Sequence, residues 1–235
     1  MPLLTSGNRD LRRDRIFTWT LPAWVTHLDD GRTVNTCPSA GACADLCYAR
    51  RGSYRFSNVR AAHNRNLLRV LDDLEAWESE LTEELRAKKY RGGTVRIHDA
   101  GDFFSDAYLE AWLRIIEAHP DVTFYAYTKE VERFRLLVEP KNLNNFKYVF
   151  SYGGRQDDSI KASDRQADVF PDDDSLESAG FADQASSDLL AITGPPKVGI
   201  VVNNHAGMKK KMNGQSFKEL QAGRHPRRTR KSNQP

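Results

Sequence analysis

Apolar positions along the chain follow two periods in turn. Residues 16–21, IFTWTL, are rich in β-branched and aromatic side chains and stop at Pro22, which predicts a strand. From 57 to 90 the spacing changes to three and four. Val59, Ala62, Leu67, Val70, Leu71, Leu74, Trp77, Leu81 and Leu85 share a helical face, with Ser57 as N-cap, in one long helix or two. Gly92 and Gly93 end that pattern, and residues 94–97 read as a short strand running into HDAGD. Ser105 caps a helix whose Tyr108, Leu109, Trp112, Ile115 and Ile116 lie on one face and which ends before Pro120. Residues 122–127 are strand-like, 131–138 helical and 146–152 strand-like up to a double glycine. Residues 157–188 read as an irregular insertion around one or two short helices, and 198–202 as a last strand. Strands alternating with helices predict an α/β protein with a parallel sheet and right-handed crossovers, which either a barrel or a doubly wound sheet satisfies.

The 235 residues are 39% hydrophobic and 29% charged, a composition that suits one folded domain. No apolar run reaches the roughly 18 residues of a membrane span, and the opening MPLLTSGNRDLRRDR has no apolar signal core. A cytoplasmic protein without membrane contact is expected. The net charge of +3 hides an asymmetry: 157–188 holds ten acidic residues against Lys161 and Arg165, while from 205 onward nine basic residues face Glu219 alone. The expected layout is a single domain over 1–207, with a cysteine loop at 36–52 and an acidic insertion at 157–188. A basic tail follows over 208–235, its last residues (HPRRTRKSNQP) disordered by default, and it is suited to nucleic acid or another acidic partner. There is no G-x-x-x-x-G-K-[ST], no G-x-S-x-G and no H-E-x-x-H, so nucleotide hydrolysis, serine hydrolysis and zincin proteolysis lack support.

In a parallel α/β protein the C-terminal strand ends share the face where ligands bind. Here those ends carry His98, Asp99 and Asp102, then Thr128, Lys129 and Glu130, then Ser151, Tyr152, Gly153 and Gly154, and finally Asn203, Asn204 and His205. The three cysteines lie in one loop with the spacing C-x5-C-x3-C: Cys37, Cys43 and Cys47. An odd number of clustered thiols is a poor disulfide framework. Small residues between the first two let a loop curl around a bulky object with backbone N–H groups turned toward it. Three thiolates suit three irons of a cubane cluster, with Arg50, Arg51, Arg55 and Arg60 near to offset its negative charge. A Cys3His zinc site completed by His63 or His98, and buried inert thiols, remain as alternatives. Asp99 and Asp102 form a further pair able to hold a divalent ion.

The runs CPSAGACADLCYARRG, RIHDAGDFFSDAYLEAWLRII, VTFYAYTKE and VGIVVNNHAG resemble the actinobacterial-phage gene product eighty-eight family, of largely unassigned function, over most of 16–207. More remotely the layout is similar to radical S-adenosylmethionine enzymes, whose partial β/α barrel carries a three-cysteine loop after the first strand and a glycine-acid motif after the second. That resemblance implies an open, partial TIM-type β/α barrel of parallel strands. It implies Cys37, Cys43 and Cys47 as ligands of a [4Fe-4S] cluster, or [3Fe-4S] if the fourth iron is lost, and Ala100-Gly101-Asp102 where the cofactor's amino group would lie. The spacing departs from the usual C-x3-C-x2-C. The expectation is a phage iron–sulfur protein, cytoplasmic in its bacterial host, of unassigned activity. S-adenosylmethionine is a secondary expectation as cofactor. The expected cofactor-side residues are His98, Asp99, Gly101, Asp102, Lys129, Tyr152, Asn203 and His205, and the expected partner is a host macromolecule or small molecule. The alternatives are a radical S-adenosylmethionine enzyme on an unknown substrate and a zinc-binding module for nucleic acid or a host protein.

Overall fold

The computed structural model describes residues 2–202 and 206–224. Its strands are β1 (Ile16–Trp19), β2 (Val25–His27), β3 (Thr33–Asn35), β4 (Thr94–Ile97), β5 (Thr123–Thr128), β6 (Phe146–Ser151), β7 (Gln166–Phe170), β8 (Ala182–Asp183) and β9 (Lys197–Val201). Its helices are α1 (Arg9–Arg13), α2 (Ala42–Asp45), α3 (Ser57–Asp72), α4 (Leu74–Leu85), α5 (Asp106–Ala118), α6 (Val131–Leu137), α7 (Asp173–Ser178), α8 (Leu190–Thr193), α9 (Ala206–Met212) and α10 (Phe217–Ala222). Seven strands form one sheet in the order β1-β4-β5-β6-β7-β9-β8, with every neighbouring pair parallel. The fold is thus α/β with a parallel sheet, as the alternation of periods predicts. The sheet is open, with β1 and β8 at its edges.

Strand alternation explains which side each helix covers. Val95, Ile97, Phe124, Ala126, Phe146 and Phe150 pack with Leu67, Trp77, Trp112, Ile116 and Phe134 of α3, α4, α5 and α6 in one core. The intervening Tyr125 and Val149 face the other way, where Ile16, Ala167 and Val198 meet Leu11 of α1 and Ala191 of α8. Four successive sheet strands lie side by side with all their crossover helices on one face. That run is singly wound, while α1 and α8 cover the opposite face of the sheet.

Several expectations are corrected. Of the two forms left open for 57–90, one helix or two, the chain takes the second, because Asp73 leaves helical geometry and its carboxylate accepts the N–H of Ala76 at 2.9 Å. Ser57 is the first residue of α3 rather than its cap; Phe56 holds the cap position without a side-chain bond. Ser105 caps α5 as expected, accepting from the N–H of Tyr108 at 3.3 Å. The acidic region 157–188 is not an irregular insertion, since β7 runs through the sheet between β6 and β9. Its acids masked an alternating strand in which Ala167 packs on one face while Gln166 and Asp168 are buried on the other. The basic segment from 208 does not begin as a tail. Met208, Met212 and Phe217 of α9 and α10 build a third core with Leu46 and Val202, against the cysteine loop. Sequence reasoning also missed the antiparallel β2–β3 hairpin.

Candidate functional site

The cysteine loop follows the β2–β3 hairpin and is stitched to the ends of β4, β5 and β6. The buried Thr36 hydroxyl donates to the carbonyl of Pro22 at 2.5 Å, and its own carbonyl accepts the N–H of Asp102 at 2.8 Å. Ser39 N–H donates to Glu130 Oε1 at 2.9 Å, and the Arg155 N–H returns to the carbonyl of Ser39 at 2.8 Å. Gly41 and Cys43 N–H groups both donate to the carbonyl of Gly153 at 3.1 Å. The Gly153 and Gly154 N–H groups are in turn fixed by Asp157, at 2.8 Å each. The small residues of the loop therefore serve close backbone approach: a Cβ on Gly41 would sit 2.1 Å from Gln221 Oε1 and 3.0 Å from the carbonyl of Gly153. This corrects the expectation that the loop's N–H groups point at a ligand, because those of Ser39, Gly41, Ala42 and Cys43 are all taken by protein acceptors.

The three thiols are half-buried and free. Cys43 is the middle one, and its charge bears on both Cys37 and Cys47. Each thiol has a backbone group that favours its thiolate: the N–H of Trp24 at 3.3 Å from Cys37 Sγ, Gly41 for Cys43 and Ala49 for Cys47. Burial nevertheless pushes the Cys37 thiol up to about 12 and raises the other two, so without a metal these are neutral thiols rather than activated nucleophiles. Lys129 is a central cation of the site, and Arg50 also favours the Cys47 thiolate. Its ammonium donates to the Ser151 hydroxyl at 2.7 Å and carbonyl at 3.1 Å, and its charge favours the ionised forms of Cys43, Cys47, Asp102, Asp157 and Asp168. Among the described residues no three or more His, Cys, Asp or Glu side chains are grouped to hold a single metal ion.

The other expected site residues divide sharply. Asp102 is buried and accepts from Phe103 N–H at 2.8 Å, the Thr128 hydroxyl at 2.7 Å and Lys129 N–H at 2.9 Å, so it braces β4 against β5 beside the loop. Gly101, at φ +86, is where the chain passes Leu21: a Cβ there would lie 2.7 Å from that of Leu21. His98 is packed against Trp19, Phe103 and Tyr108 on the helix side of the sheet. Its Nε2 is 2.8 Å from the Tyr108 hydroxyl, which also accepts from Trp19 Nε1, and burial lowers its pKa to about 3, leaving a neutral core imidazole. Tyr152 is buried with its hydroxyl on Gln166 at 3.2 Å and Lys218 over its ring. Asp99 takes part in a different cluster, with Arg96 at 3.2 Å, while Arg96 also meets Asp188 at 2.7 Å. Asn203, Asn204 and His205 lie outside the described residues. Asp157, Asp168 and Arg96 were missed; an arginine alternating with Val95 and Ile97 in a buried strand is the signal that could have found the last.

The model of the Gene product 88 family matches residues 2–231. The chain belongs to the Gene product 88 family. Over 128 residues it is 37% identical to the Gene 88 protein of Mycobacterium phage L5, covering 49% of this chain and 52% of that protein. The Gene 88 protein of Mycobacterium phage D29 is also 37% identical over 128 residues, with 49% and 51% covered. The chain thus spans about half the length of these curated relatives. No solved structure matches, so for this Gene product 88 member the chemistry must be argued from its own residues.

Asp168 gives a pH prediction. Burial raises its carboxyl from 3.8 to about 6, although Val169 N–H at 2.7 Å and Lys218 N–H at 3.3 Å favour the charged form. Between those two values the folded chain holds more protons than the unfolded one, so this contribution to stability is greatest below pH 4 and is lost as pH rises through 6. Asp168→Asn should therefore gain stability relative to the parent between pH 4 and pH 8, by about 3 kcal/mol at most. Paired thermal melts at both pH values test it; a parent–variant difference independent of pH refutes it.

Proposed function

We propose that this phage-family protein binds an iron–sulfur cluster through Cys37, Cys43 and Cys47, at the C-terminal mouth of an open, partial β/α barrel. The observation that carries the reading is the setting of the thiols. All three are half-buried, each beside a backbone group that favours its thiolate, with Lys129 and, for Cys47, Arg50 as nearby cations. Hydrogen bonds to sulfur and local charge are the levers by which proteins hold and tune such clusters. A cubane takes each thiolate on a different iron, whereas zinc needs four ligands about 2.0–2.3 Å from one centre. When bound, the cluster would supply electron transfer or an open iron. The residues of the chain would hold the thiolates, offset their charge through Lys129 and exclude water. The single winding of β1, β4, β5 and β6 supports the partial-barrel description.

The radical S-adenosylmethionine reading rests on the resemblance alone. The carboxylate expected near the cofactor's amino group, Asp102, is buried and already takes three donors. We place the protein's work in the host cytoplasm, and among the described residues no helix is long and apolar enough to cross a membrane. The test is anaerobic purification with absorption, iron, sulfide and zinc analysis, beside the Cys37→Ala, Cys43→Ala, Cys47→Ala variant. A broad band at about 400 nm with iron and sulfide that vanish in the variant is expected. A colourless protein with bound zinc, or with no metal after reconstitution, overturns the reading.

A further inference from the structure

Between residues 46 and 71 the sequence holds six arginines and no acidic residue, interleaved with Tyr48, Tyr54 and Phe56. Among the described residues Arg69 is ion-paired, to Glu80, while Arg50, Arg51, Arg55 and Arg60 have no carboxylate partner. Phe56 is 61% exposed and Tyr48 43%, and both stand on the rim that follows Cys47. A solvated basic face needs no such aromatics, and an exposed ring needs no such anchoring as Tyr48 has. The hydroxyls of Tyr48 and Tyr54 donate to the carbonyl and the carboxylate of Asp99, and the two rings meet edge to face at 5.6 Å. Asp99 is itself held by Arg96. The tyrosines are thus pinned from beneath by a half-buried ion pair, with much of the Tyr48 ring open above. A Cβ on Gly207 would lie 4.0 Å from the guanidinium of Arg51, so α9, with Lys209, Lys210 and Lys211, adjoins the same rim.

We propose that this rim, centred on Tyr48, Arg51, Arg55 and Phe56, is a docking surface for single-stranded nucleic acid. Fixed aromatic faces offer stacking to any base, and unpaired arginines between them neutralise the phosphates that connect successive bases. Two short 3₁₀ turns and the first turn of α3 present the patch. They form no long projecting element of the kind that reads a duplex through its major groove. The inference does not rest on the cluster, and its test needs no metal.

The full-length chain is titrated with a fluorescent thymidine oligonucleotide about twenty nucleotides long, a uridine oligonucleotide of equal length, and a duplex of the same length, over a range of salt. Arg51→Glu/Arg55→Glu should weaken single-strand binding at least about tenfold and reduce the salt slope by about 1.4, the share of two phosphate contacts. Phe56→Ala should weaken binding about fivefold or more with the slope unchanged, as expected for lost stacking rather than lost charge. A chain ending at Arg224 should keep most of the affinity. Melting curves equal to the parent's confirm that the variants are folded. The proposal is overturned if the Arg224 truncation abolishes binding while the rim variants bind like the parent. It is also overturned if duplex binds as tightly with Phe56→Ala unaffected, or if phosphatidylserine vesicles bind and neither oligonucleotide does.

Discussion

Replacing Asp102 with alanine is expected to lower the melting temperature by about 10 °C and to release the cysteine loop. The carboxylate accepts from two backbone N–H groups and the Thr128 hydroxyl in a buried setting, so its removal leaves three buried donors without partners. At 1–3 kcal/mol for each stranded group, partly relieved by relaxation, the loss is about 4 kcal/mol. For a chain of this size that corresponds to roughly 8–16 °C. Asp102→Asn should cost less, because its amide oxygen can still accept from Phe103 and Thr128 while its NH2 faces the N–H of Lys129. The loop's exposure is read independently as faster alkylation of Cys37, whose neighbour Thr36 is tied to the Asp102 backbone. A melting shift of under about 2 °C for the alanine variant would show that Asp102 is not the brace described.

Gly101→Ala is the second large effect, and here contact and backbone conformation can be separated. Gly101 combines φ +86 with a virtual Cβ 2.7 Å from that of Leu21, whereas Gly52 at φ +54 has nothing within 4 Å. Gly52→Ala should carry only the left-handed backbone cost, about 1 kcal/mol. Gly101→Ala adds a backbone-level clash that no rotamer can relieve, for a total of about 3 kcal/mol or more. If Gly101 instead existed to admit a cofactor, the alanine variant would melt like the Gly52 variant and lose only ligand binding. Paired thermal melts distinguish the two outcomes.

The strand-end rule made much of this site legible: Asp102, Lys129 and the cysteines do meet at one end of the parallel sheet. His98 shows where that rule fails. Strict alternation after Arg96 and Ile97 would turn it to the face of Arg96, but its φ of +67 breaks the extended run and delivers the ring to the aromatic core instead. Periodicity cannot foresee a left-handed residue that is not glycine. β7 escaped for another reason, because its buried Gln166 and Asp168 count as surface in any hydropathy pattern. The glycines at 41, 101 and 153 were open to a ligand reading, since only the fold reveals that each one is crowded by the chain itself.

The clamp on the cysteine loop also sets an order of events during synthesis. Ala42 N–H donates to Gln221 Oε1, Arg224 pairs with Asp45, and Phe217 packs against Gly153. These partners are translated about 180 residues after the thiols, as the 179-residue separation of Ala42 and Gln221 requires. Throughout that interval the thiols are translated but not yet covered by α10. Delivery of anything they hold is easiest before the last helix docks, and a carrier arriving later must wait for that helix to lift. A purification handle that hinders α10 from closing would therefore leave Cys43 less covered without touching a single cysteine.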